Sequence, residues 1–376
     1  MNRLINKGIE FINQYRGWKT SEKIVVFESD DWGSIRTSSN DALNDLRKIG
    51  VDVDKCHYML NDALETNQDL DCLFNVLVKY KYVRGDHPQF TFNAIMANPD
   101  FQKIIEAEFS TFFYRPFSEE YDIQFSQNTL NTWHRGISEG VMYPQFHGRE
   151  HVNTKRWLTD LKNKRKDTLV GFDHSMFGIS GHIVKEKRGS YLAVFDEIGH
   201  DSIFVEKIIA EGLKIFKDTF QFSPKTFIAP NYVWGSQVED GARKNGILSM
   251  QGSSNQILPT IKDKKKGVVK NYLGKKSSSG IGYLIRNVVF EPSSNLNKDW
   301  VNSALKQIEV SFTNNRPVII DTHRVNYIGY LNYKNRDRGL QLLNDLLSGI
   351  LKRWPDVKFL NSEELAEKVY NSKVLL

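Results

Sequence analysis

The chain has 376 residues, 40% of them hydrophobic and 26% charged, with a formal net charge of +6 at pH 7. That is enough apolar material for one large core, and too little charge bias for a disordered chain or a nucleic-acid-binding protein. No stretch approaches the ~20 consecutive apolar residues of a bilayer span, which excludes a transmembrane segment.

In residues 1–20, Leu4, Ile5, Ile9, Ile12 and Tyr15 recur at helical spacing. They predict an N-terminal amphipathic helix rather than a secretory leader. Together with the two cysteines, Cys56 and Cys72, which lack metal spacing, this points to a cytoplasmic protein. Strands are predicted near 23–29, 89–95, 141–146, 168–172, 225–229, 246–250, 284–290, 317–322 and 357–361. Helices are predicted near 40–48, 62–80, 98–108, 126–139, 153–164, 203–217, 235–244, 298–313, 336–353 and 362–371, with cap signals at Asn61, Asn153, Asp201 and Ser362. The alternation predicts an α/β protein with a mostly parallel sheet, buried on both faces where strands read IVVF or PVII. A closed (β/α) barrel and an open doubly wound sheet both satisfy that order. No Gly-rich phosphate fingerprint follows the first strand, which disfavours a dinucleotide site. The whole chain, 1–376, reads as one domain, with a helical excursion at 36–88. The lysine-rich stretch 262–276 reads as a solvated loop.

Four polar groups sit where apolar strands end, the position at which α/β sheets bind ligands. Asp30 and Asp31 close the first strand in ESDDWGS, and strand alternation lets them divide labour between substrate and metal. His147 and His151 follow the third in FHGREH. With nine histidines in the chain, chance supplies only about 0.2 pairs at this spacing, which suits two ligands of one ion. His323 closes another strand in VIIDTHRVNY, with Asp321 on the same face to favour its protonated form. Pro230, Asn231, Tyr232 and Trp234 in FIAPNYVWG suit a groove wall for a sugar. His174, after the stretch 168–172, is a weaker candidate for the same mouth.

In this order the motifs resemble the polysaccharide deacetylase family of carbohydrate esterases, over residues 23–323 and again in the closing KFLNSEELAEKV. The resemblance implies a distorted (β/α) barrel of seven strands. It assigns the catalytic base to Asp30, the metal to Asp31, His147 and His151, the groove wall to Pro230, and the catalytic acid to His323. Trp32, which with Asp321 is a further candidate substrate contact, stands where the family has glycine, and Gly148 where it has Ser or Thr. Ile228 and Ala229 stand where the family's groove arginine is expected, and MQGSSNQ offers no counterpart of that arginine's aspartate partner. Arg149 and Arg324 are the candidates to replace the arginine. The implied activity is removal of an acetyl group from a sugar or polysaccharide precursor. Zinc is the expected metal, with iron, cobalt, nickel and manganese also compatible with the ligand set. Two other readings are a glycosidase on a related barrel and a non-catalytic carbohydrate-binding or assembly protein.

Overall fold

The computed structural model describes residues 16–82, 85–197, 201–261 and 266–371. Most of the predicted N-terminal helix, and residues 262–265 of the lysine-rich stretch, lie outside them. Among the described residues no helix is long and apolar enough to cross a membrane.

Apolar, β-branched runs form the sheet where they were expected. The strands are β1 (Ile24–Trp32), β2 (Phe90–Ile95), β3 (Met142–Gly148), β4 (Thr226–Ile228), β5 (Ser249–Gly252), β6 (Gly282–Ile285), β7 (Val288–Val289), β8 (Val318–His323) and β9 (Lys358–Phe359). Their order is β6-β5-β4-β3-β2-β1-β8-β7, with β9 pairing β1. Every pairing is parallel, so helices cover the outside and every residue of β1 is buried. The path thus has eight strands rather than seven.

The extra strand comes from a break. The predicted strand 284–290 is two strands, β6 and β7, on opposite edges of the sheet. The Arg286 amide donates to the Gly252 carbonyl of β5 (2.9 Å), and the next amide, Asn287, donates to the Ile319 carbonyl of β8 (3.0 Å). Successive residues therefore stitch the two edges together and close the sheet into an α/β barrel. The Asn287 side chain continues the seam, accepting from the Ile319 amide (2.8 Å) and donating to the Pro317 carbonyl (2.9 Å).

Two other expectations change. Residues 168–172 belong to a helix, Lys166–Asp173, that buries Thr168, Gly171 and Phe172. The spacing of those positions is helical, and a short apolar run alone does not separate strand from helix. In the excursion, Asn61 and Asp62 do not start a helix. The helix Asn67–Leu77 starts at Thr66, which forms a capping box with Asp69. The lysine-rich stretch is also more ordered than a plain loop: Val268–Lys270 pairs antiparallel with Asn255–Ile257, and Lys266 Nζ lies 2.9 Å from Asp196.

Candidate metal centre and active site

β1 runs past its apolar stretch into Asp30 and Asp31. Its register against β8 sets Asp30 directly beside His323. Simple alternation would send the two aspartates to opposite faces. Instead β1 is bulged against β2 between Ser29 and Trp32, and Asp31 adopts φ 75°, a left-handed conformation that costs a non-glycine residue ~1–2 kcal/mol. Both carboxylates consequently enter one pocket of about 120 Å³, shared with His147, His151 and His323.

The two histidines converge by a different route from the one their spacing suggests. His147 is still in β3, and the chain turns at Gly148 with φ 125°, so no helical turn is involved. That φ favours glycine and accounts for Gly148 at this position. His147 Nδ1 lies 2.8 Å from the Ile228 carbonyl, which directs Nε2 into the pocket. The Nε2 atoms of His147 and His151 each lie 3.4 Å from Asp31 Oδ1, and the ligand atoms all fall within 4.8 Å of one another. Separations of this size match the ~3.4 Å edge of a tetrahedron with metal bonds of ~2.0–2.1 Å. Burial pushes His151 down to about 3, which keeps its imidazole neutral with a lone pair to offer. Burial opposes ionisation of Asp31, but the hydrogen bond with His147 leads the effects that outweigh it and hold the carboxyl well below the usual range. The donor set fits a divalent ion.

Asp30 is held as an anion. Burial would raise its pKa, but the Arg286 guanidinium beside it prevails and lowers it. Arg286 grips it as a fork, Nη2 to Oδ1 at 2.6 Å and Nη1 to Oδ2 at 2.8 Å. Asn93 also donates to Oδ1 at 2.7 Å, which fills that oxygen and leaves Oδ2 with accepting capacity. Arg286 reaches Glu28 and Asp321 as well, each at 2.7 Å. Its position on the barrel seam points the side chain into this cluster. Asp321 therefore serves Arg286, and the partner of His323 is Glu291, whose Oε1 is 2.6 Å from Nδ1. His323 Nε2 faces Asp30 Oδ2 at 3.7 Å. Burial disfavours the imidazolium, yet Glu291 and Asp30 raise His323 well above its ordinary value.

Of the proposed wall residues, Asn231 and Tyr232 line the pocket, both with φ 56°. Pro230 is buried at the start of the short turn that carries them. The Tyr232 hydroxyl accepts from Arg286 Nη1 at 3.2 Å. The remaining candidates lie elsewhere. Trp32 is fully buried, stacked on Phe92 with centroids 3.9 Å apart. Trp234 is buried and donates to Glu239 at 3.0 Å. Arg149 pairs with Glu150 and Glu211 and lies over Tyr114. Arg324 is fully buried between Asp62 and Glu65 at 2.9 and 2.7 Å. Neither arginine reaches Asp30, and Arg286 takes that part. His174 pairs with Asp45 at 3.0 Å, outside the pocket.

Sequence reasoning missed Arg286, Glu291 and Asn93. The first two carry the same signal as the others, a polar residue closing an apolar strand, once the run 284–290 is divided.

The fold and site define a parallel α/β barrel-like protein with an Asp-His-His cluster that could hold a metal ion and an Asp–His pair beside it at the mouth. No protein-family model and no curated protein matches the chain. The chain is similar in structure to members of carbohydrate esterase family 4, the group its motifs resemble. One is an acetyl xylan esterase from Clostridium thermocellum in complex with a cobalt ion, at 12% identity, 91% and 90% coverage of this chain and that one, and TM-score 0.37. Another is BA3943, a pseudoenzyme of the same family from Bacillus anthracis, at 9% identity, 94% and 68% coverage and TM-score 0.40. The allantoinase PuuE is similar at 10% identity, 95% and 93% coverage and TM-score 0.47.

Proposed function

We propose that the protein is a metal-dependent hydrolase that removes an N- or O-linked acetyl group from a sugar or polysaccharide precursor. The observation that carries this reading is the buried Asp31–His147–His151 cluster lying next to an Asp30 whose Oδ2 faces His323 Nε2 at 3.7 Å. A divalent ion, zinc first among the candidates, would supply Lewis acidity to water and to the acyl carbonyl. Asp30 takes the proton of the attacking water at Oδ2, since Oδ1 is already filled by Arg286 and Asn93. Protonated His323, held through Nδ1 by Glu291, delivers the Nε2 proton to the departing amine or alkoxide. Asn231 and Tyr232 form one wall for the sugar. A cytoplasmic setting would supply nucleotide-linked or lipid-linked sugars, or polysaccharide precursors, as substrates.

The test combines metal analysis of the purified chain with acetate release from acetylated sugars. About one equivalent of metal is expected, with acetate release lost on chelation and restored by zinc or cobalt. His147→Ala/His151→Ala should lose the metal. Full retention of metal in that double variant sinks the site assignment, and chelator-insensitive cleavage of the sugar chain would favour a glycosidase.

A further inference from the structure

Arg36 lies in the loop after β1 and lines the same pocket as Asp31 and His151. It is only 6% exposed, yet it makes no hydrogen bond or ion pair among the described residues, and its buried Nε has no partner. Its guanidinium lies over the face of Tyr58, 5.1 Å from the ring centroid, and its charge acts on the buried Asp62 carboxylate without an ion-pair contact. Each of the other buried arginines of the site and its surroundings, Arg149, Arg286 and Arg324, is paired with two or more carboxylates. A buried guanidinium left without a hydrogen-bonded anion is costly, and such a group is retained where a ligand completes it.

The loop is built to hold this side chain still. On one side of Arg36, the Ile35 amide donates to Asn98 Oδ1 at 2.8 Å. On the other, the Thr37 amide donates to the Asp62 carbonyl at 3.1 Å and the Thr37 hydroxyl to the Met59 carbonyl at 2.9 Å. Arg324 also anchors the loop, donating to the Ser34 carbonyl. Opposite the stem stands Gly178, where an added Cβ would come within 2.9 Å of Arg36 Cδ. A glycine there leaves room for the arginine. The fork is thus pre-placed, without a hydrogen-bond or ion-pair partner among the described residues, in the pocket that holds Asp31, His147 and His151.

We propose that Arg36 is the receptor for an oxyanion of the substrate, a carboxylate or phosphate on the acylated sugar unit, and that it makes the site selective for anionic over neutral sugars. This deepens the hydrolase reading and rests on it for the identity of the pocket. Guanidinium matches the bidentate geometry of either oxyanion.

The test is calorimetric titration of the full-length, metal-loaded protein with N-acetylglucosamine, its uronic acid and its 6-phosphate, alongside acetate release from the same compounds. At least one anionic sugar should bind more tightly than the neutral one, and which of the two does so separates carboxylate from phosphate. Arg36→Gln should weaken that binding by about thirtyfold or more and bring the kcat/KM ratio of anionic to neutral substrate toward one. Arg36→Lys, which keeps the charge and loses the fork, should retain part of the preference. The wild-type comparison needs no variant to fold. Equal binding of neutral and anionic sugars by the wild type, or undiminished anion binding by Arg36→Gln, overturns the proposal. Arg36-dependent binding without acetate release would uphold it and remove the hydrolase reading. Acetate release without charge preference would do the reverse.

Discussion

Glu291 decides how His323 can act. The carboxylate sits 2.6 Å from Nδ1 and, with Asp30, outweighs the burial that disfavours the imidazolium, so the His323 pKa is raised. The sign follows directly: the acid form persists through neutral pH and is lost only as pH climbs through the raised value, which sets the alkaline limb of turnover. Glu291→Gln removes the largest favourable charge, so that limb should move to lower pH while metal content stays at the wild-type level. A pH–rate profile checks this, and an unmoved alkaline limb would mean that His323 is not the titrating acid. At this scale Asp30, Asp31, His147 and His323 could be read from the sequence because each closes an apolar strand, and His151 because it follows one at a fixed spacing from His147. Their partners could not. Asp321 is the natural partner of His323 by its same-face position two residues away, but the barrel presents Glu291 from the loop just after β7 and assigns Asp321 to Arg286.

Glu291 is in turn held by an element that touches no substrate. Its Oε2 accepts from Asn326 Nδ2 at 2.7 Å, and the helix Tyr333–Arg353 crosses Asn326 at Gly339. A Cβ at Gly339 would lie 1.7 Å from the Asn326 carbonyl oxygen. The obstacle is backbone, so the helix or the turn must shift. Gly339→Ala should therefore destabilise the fold despite the better helix propensity of alanine, by about 1–3 kcal/mol as overpacking typically does. It should also lower turnover by displacing Glu291. Urea unfolding measures the first effect, and a stability equal to or above wild type would show that the crossing relaxes without strain. The helix itself is legible from its periodicity, but the reason for its glycine is a crossing partner visible only in three dimensions. The same limit explains the helix Lys166–Asp173, where an apolar pentapeptide read as a strand packs instead at positions 168, 171 and 172.

Barrel closure links the whole fold to the site. Arg286 and Asn287 are consecutive, yet their amides bond to β5 and β8, each one strand in from opposite ends of the strand order. The first residue places its guanidinium on Asp30, and the second locks the edges with its side chain. Alternation of strands and helices predicted an α/β sheet but not whether it closed, because closure depends on a two-residue crossing hidden inside one apolar run. Asn287→Ala keeps the main-chain stitch and removes the side-chain one, leaving the Ile319 N–H and the Pro317 C=O without their Asn287 partner. Each such loss costs ~1–3 kcal/mol where water cannot replace it. The seam is partly buried, so a total of about 2 kcal/mol is expected in urea unfolding. Because Arg286 is adjacent, the loosened seam should also free Asp30 from its fork and reduce turnover, with Asp31, His147 and His151 untouched. A variant with wild-type stability would show that the main chain alone closes the barrel. One that is destabilised yet turns over normally would show that Arg286 is held by its carboxylates, Glu28, Asp30 and Asp321, and not by the seam.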